Sequence, residues 1–324
     1  MLFDKLEYKG IFAEYIVKYL EEQKSIGHNM FYVKYILRDF DRYLVDSSID
    51  KYDKFNKKII EGWLIKKDTE SYSTRKNRAV IIKLFLIYLS NYFDNVFVID
   101  SKKYYGGEKF IPYIFTNDEI KQIFGEIHRY MINSLSKEIF KIVTNILYCC
   151  GTRVTETLLI KIEDINFSEK YIIIKNSKGS KERIVPINDL IVNLLKDFIN
   201  NYCKTYNSDD YIFENLKTHK PITRVTILNY FHHICSKCNI YTNTKNYPRI
   251  HDLRHTYIVH CMTKLEQEYK DINSYIPILS TMVGHEEVKN TMYYSRFTPE
   301  RIKVINTIEN NSSVIIPKLG EENE

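Results

Sequence analysis

The sequence predicts a mainly α-helical protein of two domains that also carries one small β-hairpin, an α+β class. Its 324 residues suffice for two domains of ordinary size. The 10 glycines and 7 prolines are about half the usual share, which favours long helices over many short strands. Apolar residues recur at helical spacing through most of the chain, and one region has the composition of paired strands.

The first hundred residues contain four segments in which apolar side chains recur at intervals of three and four residues. These segments are residues 12–23, 31–44, 59–66 and 73–92. In the last segment we expect an inward face formed by Val80, Leu84, Ile87 and Tyr88. The pattern therefore predicts a small helical domain over residues 1–105.

The second domain is expected to follow a short linker, residues 106–113, which contains a Gly-Gly pair and a proline. Thr116 and Glu119 then have the spacing of a capping box at the start of a helix. Two β-rich runs, residues 171–174 and 183–186, flank a polar turn and predict a hairpin. We place this domain at residues 114–306 and a C-terminal tail at residues 307–324.

The net charge of +6 is compatible with a polyanionic partner, and residues 51–109 hold 13 lysines and arginines against 7 acidic residues. A solvated helix face is the ordinary explanation of such a cluster, and a surface that tracks DNA phosphates is the alternative. The candidate DNA-binding residues are Lys66, Lys67, Arg75, Lys76 and Arg78.

The start of the chain is charged and lacks the apolar segment of a secretory leader, and the longest apolar runs are too short to span a bilayer. Six scattered cysteines show no regular framework. We therefore expect a cytoplasmic protein with no membrane partner.

Six residues in the C-terminal half supply the groups that phosphodiester chemistry needs. Arginine can bind a phosphate through two hydrogen bonds, histidine titrates near neutrality, and lysine can protonate a leaving oxygen. The chain has 27 tyrosines, so a single tyrosine is uninformative by itself. Tyr294, however, lies nine residues after His285 of a Gly-His pair (294 − 285), and its hydroxyl could attack phosphorus. The set is Arg153, Lys178, His251, Arg254, His285 and Tyr294.

Several members of this set have competing explanations. Lys178 suits any exposed turn, and Lys181 is an alternative for the same role. Tyr293 would serve as the nucleophile if the register were shifted by one residue. Glu156, three residues after Arg153, could pair with it or orient a neighbouring side chain.

His251 and His255 are four residues apart, as in a zinc-binding helix, but Asp252 stands where such helices have glutamate. We therefore expect no metal site and interpret His255 as a buried structural histidine. His251 and Arg254 are three residues apart, so they would share one face of a helix.

In this order, the segments GTRVTE, KGSKER, HDLRHT, VGHEE and TMYYSRF resemble the phage-integrase family of tyrosine recombinases over about residues 116–297. The resemblance implies that Tyr294 is the nucleophile and Lys178 the general acid. It also implies that Arg153 and Arg254 clamp the scissile phosphate, and that Glu156 supports them. His251 would share the tyrosine proton, and His285 would hydrogen-bond the phosphate.

The resemblance further implies a C-shaped, two-domain clamp around double-stranded DNA at specific sites, with a helical core-binding domain first. Cutting would leave a 3′-phosphotyrosine link and require neither metal nor ATP. Strand exchange would occur in a homotetramer, assisted by accessory DNA-bending or directionality proteins, with the bound protein at the bacterial nucleoid. Because the chain begins close to the core-binding helices, we expect no additional arm-site-binding domain.

One departure concerns the 31 residues from Arg254 to His285 (285 − 254), a longer and more charged connection than compact family members have. It favours an integrase of a mobile element over the subgroup that resolves chromosome dimers. Two alternatives remain at this stage. A type IB topoisomerase would share the active site, and a DNA-binding protein could have lost catalysis.

Overall fold

The structure, a computed structural model, describes residues 8–107, 111–130, 135–175, 182–203, 207–215, 218, 220–268 and 272–298. The chain divides into two compact units, residues 1–110 and 111–324. Within the described ranges, no helix is both long and apolar enough to cross a membrane.

The first unit is a helical bundle, as the apolar spacing predicts. Its helices are α1 (Ala13–Ser25), α2 (Val33–Asp46), α3 (Lys57–Trp63) and α4 (Tyr72–Leu89), with 3₁₀ turns at Tyr52–Lys54 and Ser101–Tyr104. Aromatic rings fill its centre in edge-to-face pairs. Phe12 lies 4.8 Å from Phe55, and Phe40 lies 5.0 Å from Trp63, between ring centroids. Such pairs add about 1 kcal/mol each beyond the area that they bury.

The prediction of the inward face of α4 is wrong in part. Tyr88 is buried, but Leu84 and Ile87 are 51% and 45% exposed. The interior is filled instead by Phe85 and its neighbours, and the Phe85 ring meets that of Tyr19 at 5.6 Å. The helix is apolar almost all round after residue 79, so its periodicity alone does not determine which side packs inward.

The second unit is also mainly helical, and its helices lie in the following order. They are α5 (Asn117–Tyr130), α6 (Leu135–Cys150), α7 (Val154–Leu158), α8 (Asp189–Tyr202), α9 (Arg224–Lys237), α10 (Asp252–Glu268), α11 (Ile276–Val283) and α12 (Val288–Met292), then a 3₁₀ turn at Tyr293–Phe297. The predicted capping box opens α5, because the Thr116 backbone N–H donates to Glu119 Oε2 at 2.8 Å and the Glu119 N–H donates to Thr116 Oγ1 at 3.2 Å.

The predicted hairpin is confirmed as β2 (Tyr171–Ile174) paired antiparallel with β3 (Arg183–Pro186). A two-residue strand, β1 (Ile165–Asn166), extends it to three strands in the order β1-β2-β3. A separate pair, β4 (Glu214–Asn215) and β5 (Lys220–Pro221), was not predicted. Strands of two residues are too short to show an alternating pattern, so the sequence gives no signal for them.

Helix α6 packs against the helix that carries several of the candidate site residues. It is buried along one face from Ile139 to Cys150 and packs against both α8 and α10. It ends at Gly151, whose φ of 62° is left-handed. A Cβ at Gly151 would lie 2.3 Å from the Tyr257 ring, so only glycine allows α6 to approach α10 this closely.

Arg78 does not belong to the candidate DNA-binding surface, because its side chain lies in the interior of the first unit. Only 3% of the residue is exposed. Its guanidinium pairs with Glu70 at 2.6 Å, donates to the Trp63 carbonyl at 2.8 Å and lies over the Trp63 ring. Arg78 therefore ties α4 to the loop after α3 and cannot reach a phosphate.

We predict that Arg78→Ala destabilises the first unit by about 3 kcal/mol, because it leaves the buried Glu70 carboxylate unpaired. Trp63 is the single tryptophan of the chain and touches Arg78, so its fluorescence during urea unfolding reports on this unit. Lys76→Ala, at an exposed position of the same helix, is the control and should leave the unfolding midpoint unchanged. Equal midpoints for both variants would contradict this role of Arg78.

Candidate active site

Arg153 begins α7 and is fixed by its own capping box. Its backbone N–H donates to Glu156 Oε2 at 3.0 Å, and its Nη1 donates to Glu156 Oε1 at 2.5 Å. Its Nη2 donates to the Gly284 carbonyl at 2.8 Å, which connects α7 to the turn after α11. The side chain keeps 25% of its surface exposed. Arg153 is thus held rigidly while remaining accessible to an anion.

Glu156 is shared between two arginines. Besides Arg153, its Oε2 accepts from Nη2 of Arg183, the first residue of β3, at 2.6 Å. Burial alone would raise the pKa of Glu156, but the hydrogen bonds from Arg183 and from the Arg153 backbone hold it below its ordinary value. Glu156 therefore stays ionised and anchors both guanidinium groups.

Arg183 is a site residue that sequence analysis missed. Its Nε donates to the Met282 carbonyl at 2.9 Å, so it ties the hairpin to the end of α11 as well as to Glu156. Gly284, with φ 69°, follows there, and a Cβ on it would lie 2.8 Å from the Arg183 guanidinium. Arg183 is the last residue of the KGSKER segment, and its partners Glu156 and Met282 are distant in sequence, so the segment alone does not indicate its role.

Arg254 lies on α10 and is 1% exposed. Its Nη1 donates to the Gly151 carbonyl at 2.6 Å, at the turn that precedes Arg153. Burial, together with the positive charge of Arg153, lowers the pKa of Arg254 to about 9, which leaves it charged near neutral pH. The two arginines predicted to clamp a phosphate are therefore neighbours, although 101 residues separate them (254 − 153).

His285 follows the left-handed Gly284 that caps α11. Its Nδ1 is 2.7 Å from Thr291 Oγ1, and its ring is almost parallel to that of Tyr294, at 11° with centroids 6.1 Å apart. Glu287 is the N-cap residue of α12, and Tyr294 lies in the 3₁₀ turn beyond that helix. This turn contacts α10, so Tyr294 lies against that helix.

Tyr294 is 7% exposed and points its hydroxyl at a histidine. Its Oη lies 2.6 Å from Nδ1 of His255, and the two rings stack at 29°. Burial raises the pKa of Tyr294 to about 12, although the charge of Arg254 opposes that shift. Tyr293, the alternative nucleophile, instead packs against Arg296, whose guanidinium carbon is 3.4 Å from the ring centroid.

All three histidines of the site are held neutral. Burial is the main cause, and nearby arginines add to it. The pKa of His251 falls to about 4, with Arg254 contributing after burial. The pKa of His255 falls to about 3, where His251 is the next cause, and that of His285 to about 4, again with Arg254 next. Each ring therefore offers one nitrogen that can accept a proton and one that can donate.

The structure brings together Arg153, Glu156, His251, Arg254, His285 and Tyr294, and adds Arg183 and His255. The interpretation of His255 as purely structural is too narrow, because it contacts the tyrosine hydroxyl. Lys178, Lys181 and the tail lie outside the described residues. No group of three or more metal-ligating side chains that could hold an ion occurs within the described part of the chain.

Taken together, these residues place arginine and histidine side chains beside a buried tyrosine hydroxyl in the second unit. Residues 114–301, more than half of the chain, match the phage integrase family. The chain therefore belongs to the phage integrase family, the family that its motifs resemble.

Several proteins that are similar to this chain are named as tyrosine recombinases or as an integrase/recombinase. The tyrosine recombinase XerD of Staphylococcus haemolyticus is 24% identical over 303 residues, 90% of this chain and 96% of its own length. A tyrosine recombinase of Pseudothermotoga lettingae is 28% identical over 170 residues, 52% of this chain. The chain spans 53% of that relative and 63% of a putative integrase/recombinase, y4rB, of Sinorhizobium fredii.

Solved structures show the same fold. The XerH recombinase in a post-cleavage complex with palindromic difH matches with a TM-score of 0.68 at 16% identity, over 95% of this chain and 92% of that chain. The Tn1549 transposon integrase with transposon right-end DNA matches with a TM-score of 0.64 at 17% identity, over 86% and 93%. The expected fold class is thus confirmed as a mostly helical tyrosine-recombinase fold with small antiparallel sheets.

We predict that Glu156→Gln destabilises the second unit by about 3 kcal/mol near neutral pH, because the buried Arg183 and the partly exposed Arg153 lose their shared carboxylate. The lowered pKa of Glu156 means that its contribution is present above the ordinary value of 4.5 and is lost as the pH falls through the lowered value. The difference between wild type and variant in urea unfolding should therefore shrink on acidification.

Circular dichroism would follow this unfolding, and Trp63 fluorescence would serve as an unchanged reference for the first unit. A stability difference that stays constant down to pH ~3 would contradict an ionised Glu156.

Proposed function

We propose that this protein is a site-specific DNA recombinase that cuts and rejoins strands through a 3′-phosphotyrosine link at Tyr294. The observation that carries the proposal is the convergence of a tyrosine hydroxyl, neutral histidines and buried arginines at one place in the second unit. The XerD relative, which the chain matches over nearly its whole length, supports the same activity.

Charge in the transition state would be stabilised by the two clamp arginines. Attack on a phosphodiester builds negative charge on the non-bridging oxygens, and fixed cationic donors favour it. Arg153 and Arg254 are fixed by Glu156 and the Gly151 carbonyl respectively, so little reorganisation would accompany the reaction. His285 stands beside the tyrosine ring, where it could donate a further hydrogen bond to the phosphate.

The leaving 5′ oxygen needs a proton, and we assign that role to Lys178, which lies between β2 and β3 in the sequence. The described parts of β2 and β3 are in register, and β3 is anchored to the site through Arg183. The bond energy is kept in the phosphotyrosine link, so a 5′-hydroxyl from a partner strand could reverse the step without ATP. The arginines supply positive charge at the phosphate, and the mechanism assigns no step to a metal.

The substrate we propose is double-stranded DNA at specific sites. XerH and the Tn1549 integrase, whose folds match this chain, were solved with difH and with transposon right-end DNA. By analogy we propose exchange in a homotetramer, accessory proteins that set direction, and a cytoplasmic location. The long connection from Arg254 to His285 favours a mobile-element integrase. Its first part continues α10 to Glu268 and its later part contains a 3₁₀ turn at Ile272–Ser274.

A surface of alternating lysines and tyrosines on the first unit is suited to DNA. Lys66 Nζ lies 5.4 Å from the centroid of the Tyr72 ring, and Lys76 Nζ lies 4.3 Å from that of Tyr105. Arg75 is partly used for structure, because its Nε donates to the Leu64 carbonyl, and Lys67 pairs with Asp39 at 2.9 Å. Lys66 and Lys76 are therefore the strongest candidates for phosphate contacts.

We predict that replacing Lys66 and Lys76 together by alanine weakens binding to a fluorescent duplex of random sequence. The slope of log affinity against log salt should decrease by about 1 for each phosphate contact that is lost. Fluorescence anisotropy at several salt concentrations measures both quantities. Lys18→Ala, at a lysine paired with Glu14 on α1, is the matched control. An unchanged slope in the double variant would remove these lysines from the DNA surface.

We predict that wild-type protein forms a denaturant-stable adduct with a nicked duplex and that Tyr294→Phe forms none. The duplex would be selected from a randomised pool by the full-length protein, with the nick tiled across it and a chelator present. Tyr293→Phe is the control, and it should form the adduct because the hydroxyl that meets His255 is that of Tyr294, whereas the Tyr293 ring packs on Arg296.

Specific binding without an adduct would favour the DNA-binding protein that has lost catalysis. Exchange of strands between two duplexes separates a recombinase from a type IB topoisomerase, which would relax supercoiled DNA without a partner site. An adduct that survives in Tyr294→Phe and disappears in Tyr293→Phe would overturn the assignment of the nucleophile.

A further inference from the structure

His255, and not His251, contacts the hydroxyl group of the proposed nucleophile. Nδ1 of His255 lies 2.6 Å from Tyr294 Oη, a short hydrogen bond. His251 contacts His255 edge-on, with ring centroids 4.8 Å apart. The resemblance assigns the tyrosine proton to the position of His251. The geometry therefore places a second imidazole, which contacts that of His251, at hydrogen-bond distance from the reacting oxygen.

We propose that His255 is a catalytic residue whose Nδ1 accepts the phenolic proton of Tyr294 as the phosphotyrosine bond forms. This inference rests on the proposed function and names a residue for one of its steps. In that step the Tyr294 Oη–phosphorus bond forms while the bond from phosphorus to the 5′ oxygen breaks. The phenolic proton moves to His255 Nδ1, and the 5′ oxygen takes a proton from the general acid assigned to Lys178.

The ring of His255 is neutral and has a nitrogen that can accept a proton, although burial and the neighbouring His251 lower its pKa to about 3. Burial keeps its ring neutral, so Nδ1 has a free lone pair when the proton sits on Nε2. The Tyr294 hydroxyl then donates to Nδ1. On the other side, Asp252 Oδ1 is 4.0 Å from Nε2, where its charge would stabilise the imidazolium that forms.

Asp252 is itself held in place. Its Oδ2 accepts from the Arg249 backbone N–H at 2.7 Å, and its Oδ1 accepts from Arg249 Nη2 at 3.1 Å. A 2.6 Å hydrogen bond joins the tyrosine to the histidine, and the carboxylate lies 4.0 Å from the other histidine nitrogen. The arrangement is the one by which an otherwise inert hydroxyl is activated by an adjacent base.

Two substrates separate proton transfer at the tyrosine from proton transfer at the leaving group. Both are the nicked duplex on which wild type forms its adduct, and in one of them sulfur replaces the bridging 5′ oxygen. A thiolate leaves without protonation, so the sulfur substrate bypasses the general acid. Loss of the acid should then be rescued by sulfur, whereas loss of the base should not.

We expect His255→Ala to slow adduct formation about 100-fold on both substrates, within the range that general bases contribute. Lys178→Ala should be slow on the oxygen substrate alone. His255→Asn keeps a hydrogen-bond acceptor near Nδ1 but no basic nitrogen, so it should fold like wild type and remain slow. The matched control is His260→Ala, which removes a second α10 histidine that pairs with a tyrosine, Tyr148, at 3.1 Å. It should react at the wild-type rate.

A wild-type rate in His255→Ala would overturn the inference. Full activity in His255→Asn would also overturn it, since the hydrogen bond would then only position the tyrosine ring. Rescue of His255→Ala by the sulfur substrate would overturn it as well. These results leave the proposed function intact, because wild type would still form the Tyr294 adduct. Absence of an adduct from wild type on every nicked duplex would overturn the proposed function, and this inference with it.

Discussion

The site depends on one buried carboxylate that holds two arginines. Glu156 accepts from Arg153 and Arg183, and these arginines donate in turn to the carbonyls of Gly284 and Met282. The carboxylate thus joins α7, β3 and the turn after α11, three parts of the chain that are far apart in sequence. Like-charged guanidinium groups would not stay this close without it, because burial of unpaired charge is costly.

Burial gives the site its chemistry as well as its shape. The same desolvation that keeps His251, His255 and His285 neutral raises the pKa of Tyr294 to about 12. An isolated phenol in this environment would be a poor nucleophile. A neutral imidazole at hydrogen-bond distance and a buried arginine nearby make the phenol a better nucleophile. A bound phosphate would add the negative charge that the arginines attract.

The order and spacing of the motifs single out Arg153, Arg254, His285 and Tyr294, because each stands in a recognisable local segment, and the fold brings these residues into one cluster. The helices of the first unit, the capping box at Thr116 and the hairpin were also predictable from local periodicity. The Arg183–Glu156 and His255–Tyr294 contacts were not, since they join residues 27 and 39 positions apart.

Arg78 shows the same limit in a charged segment. Nothing local distinguishes it from Lys76, yet Arg78 points inward because Glu70 and two backbone carbonyls are there to receive it. The inward face of α4 was ambiguous for a related reason, since after residue 79 the helix is apolar almost all round and its periodicity does not indicate which side is buried. In both cases the side that points inward is determined by packing partners that the tertiary structure supplies.

The most direct test of the account is the location of the covalent bond within the protein. The trapped adduct would be digested with nuclease and trypsin, and the peptide containing Tyr293 and Tyr294 would be fragmented in a mass spectrometer. The account predicts a nucleotide phosphate attached to Tyr294. A phosphate on Tyr293, or on a residue outside this peptide, would contradict it.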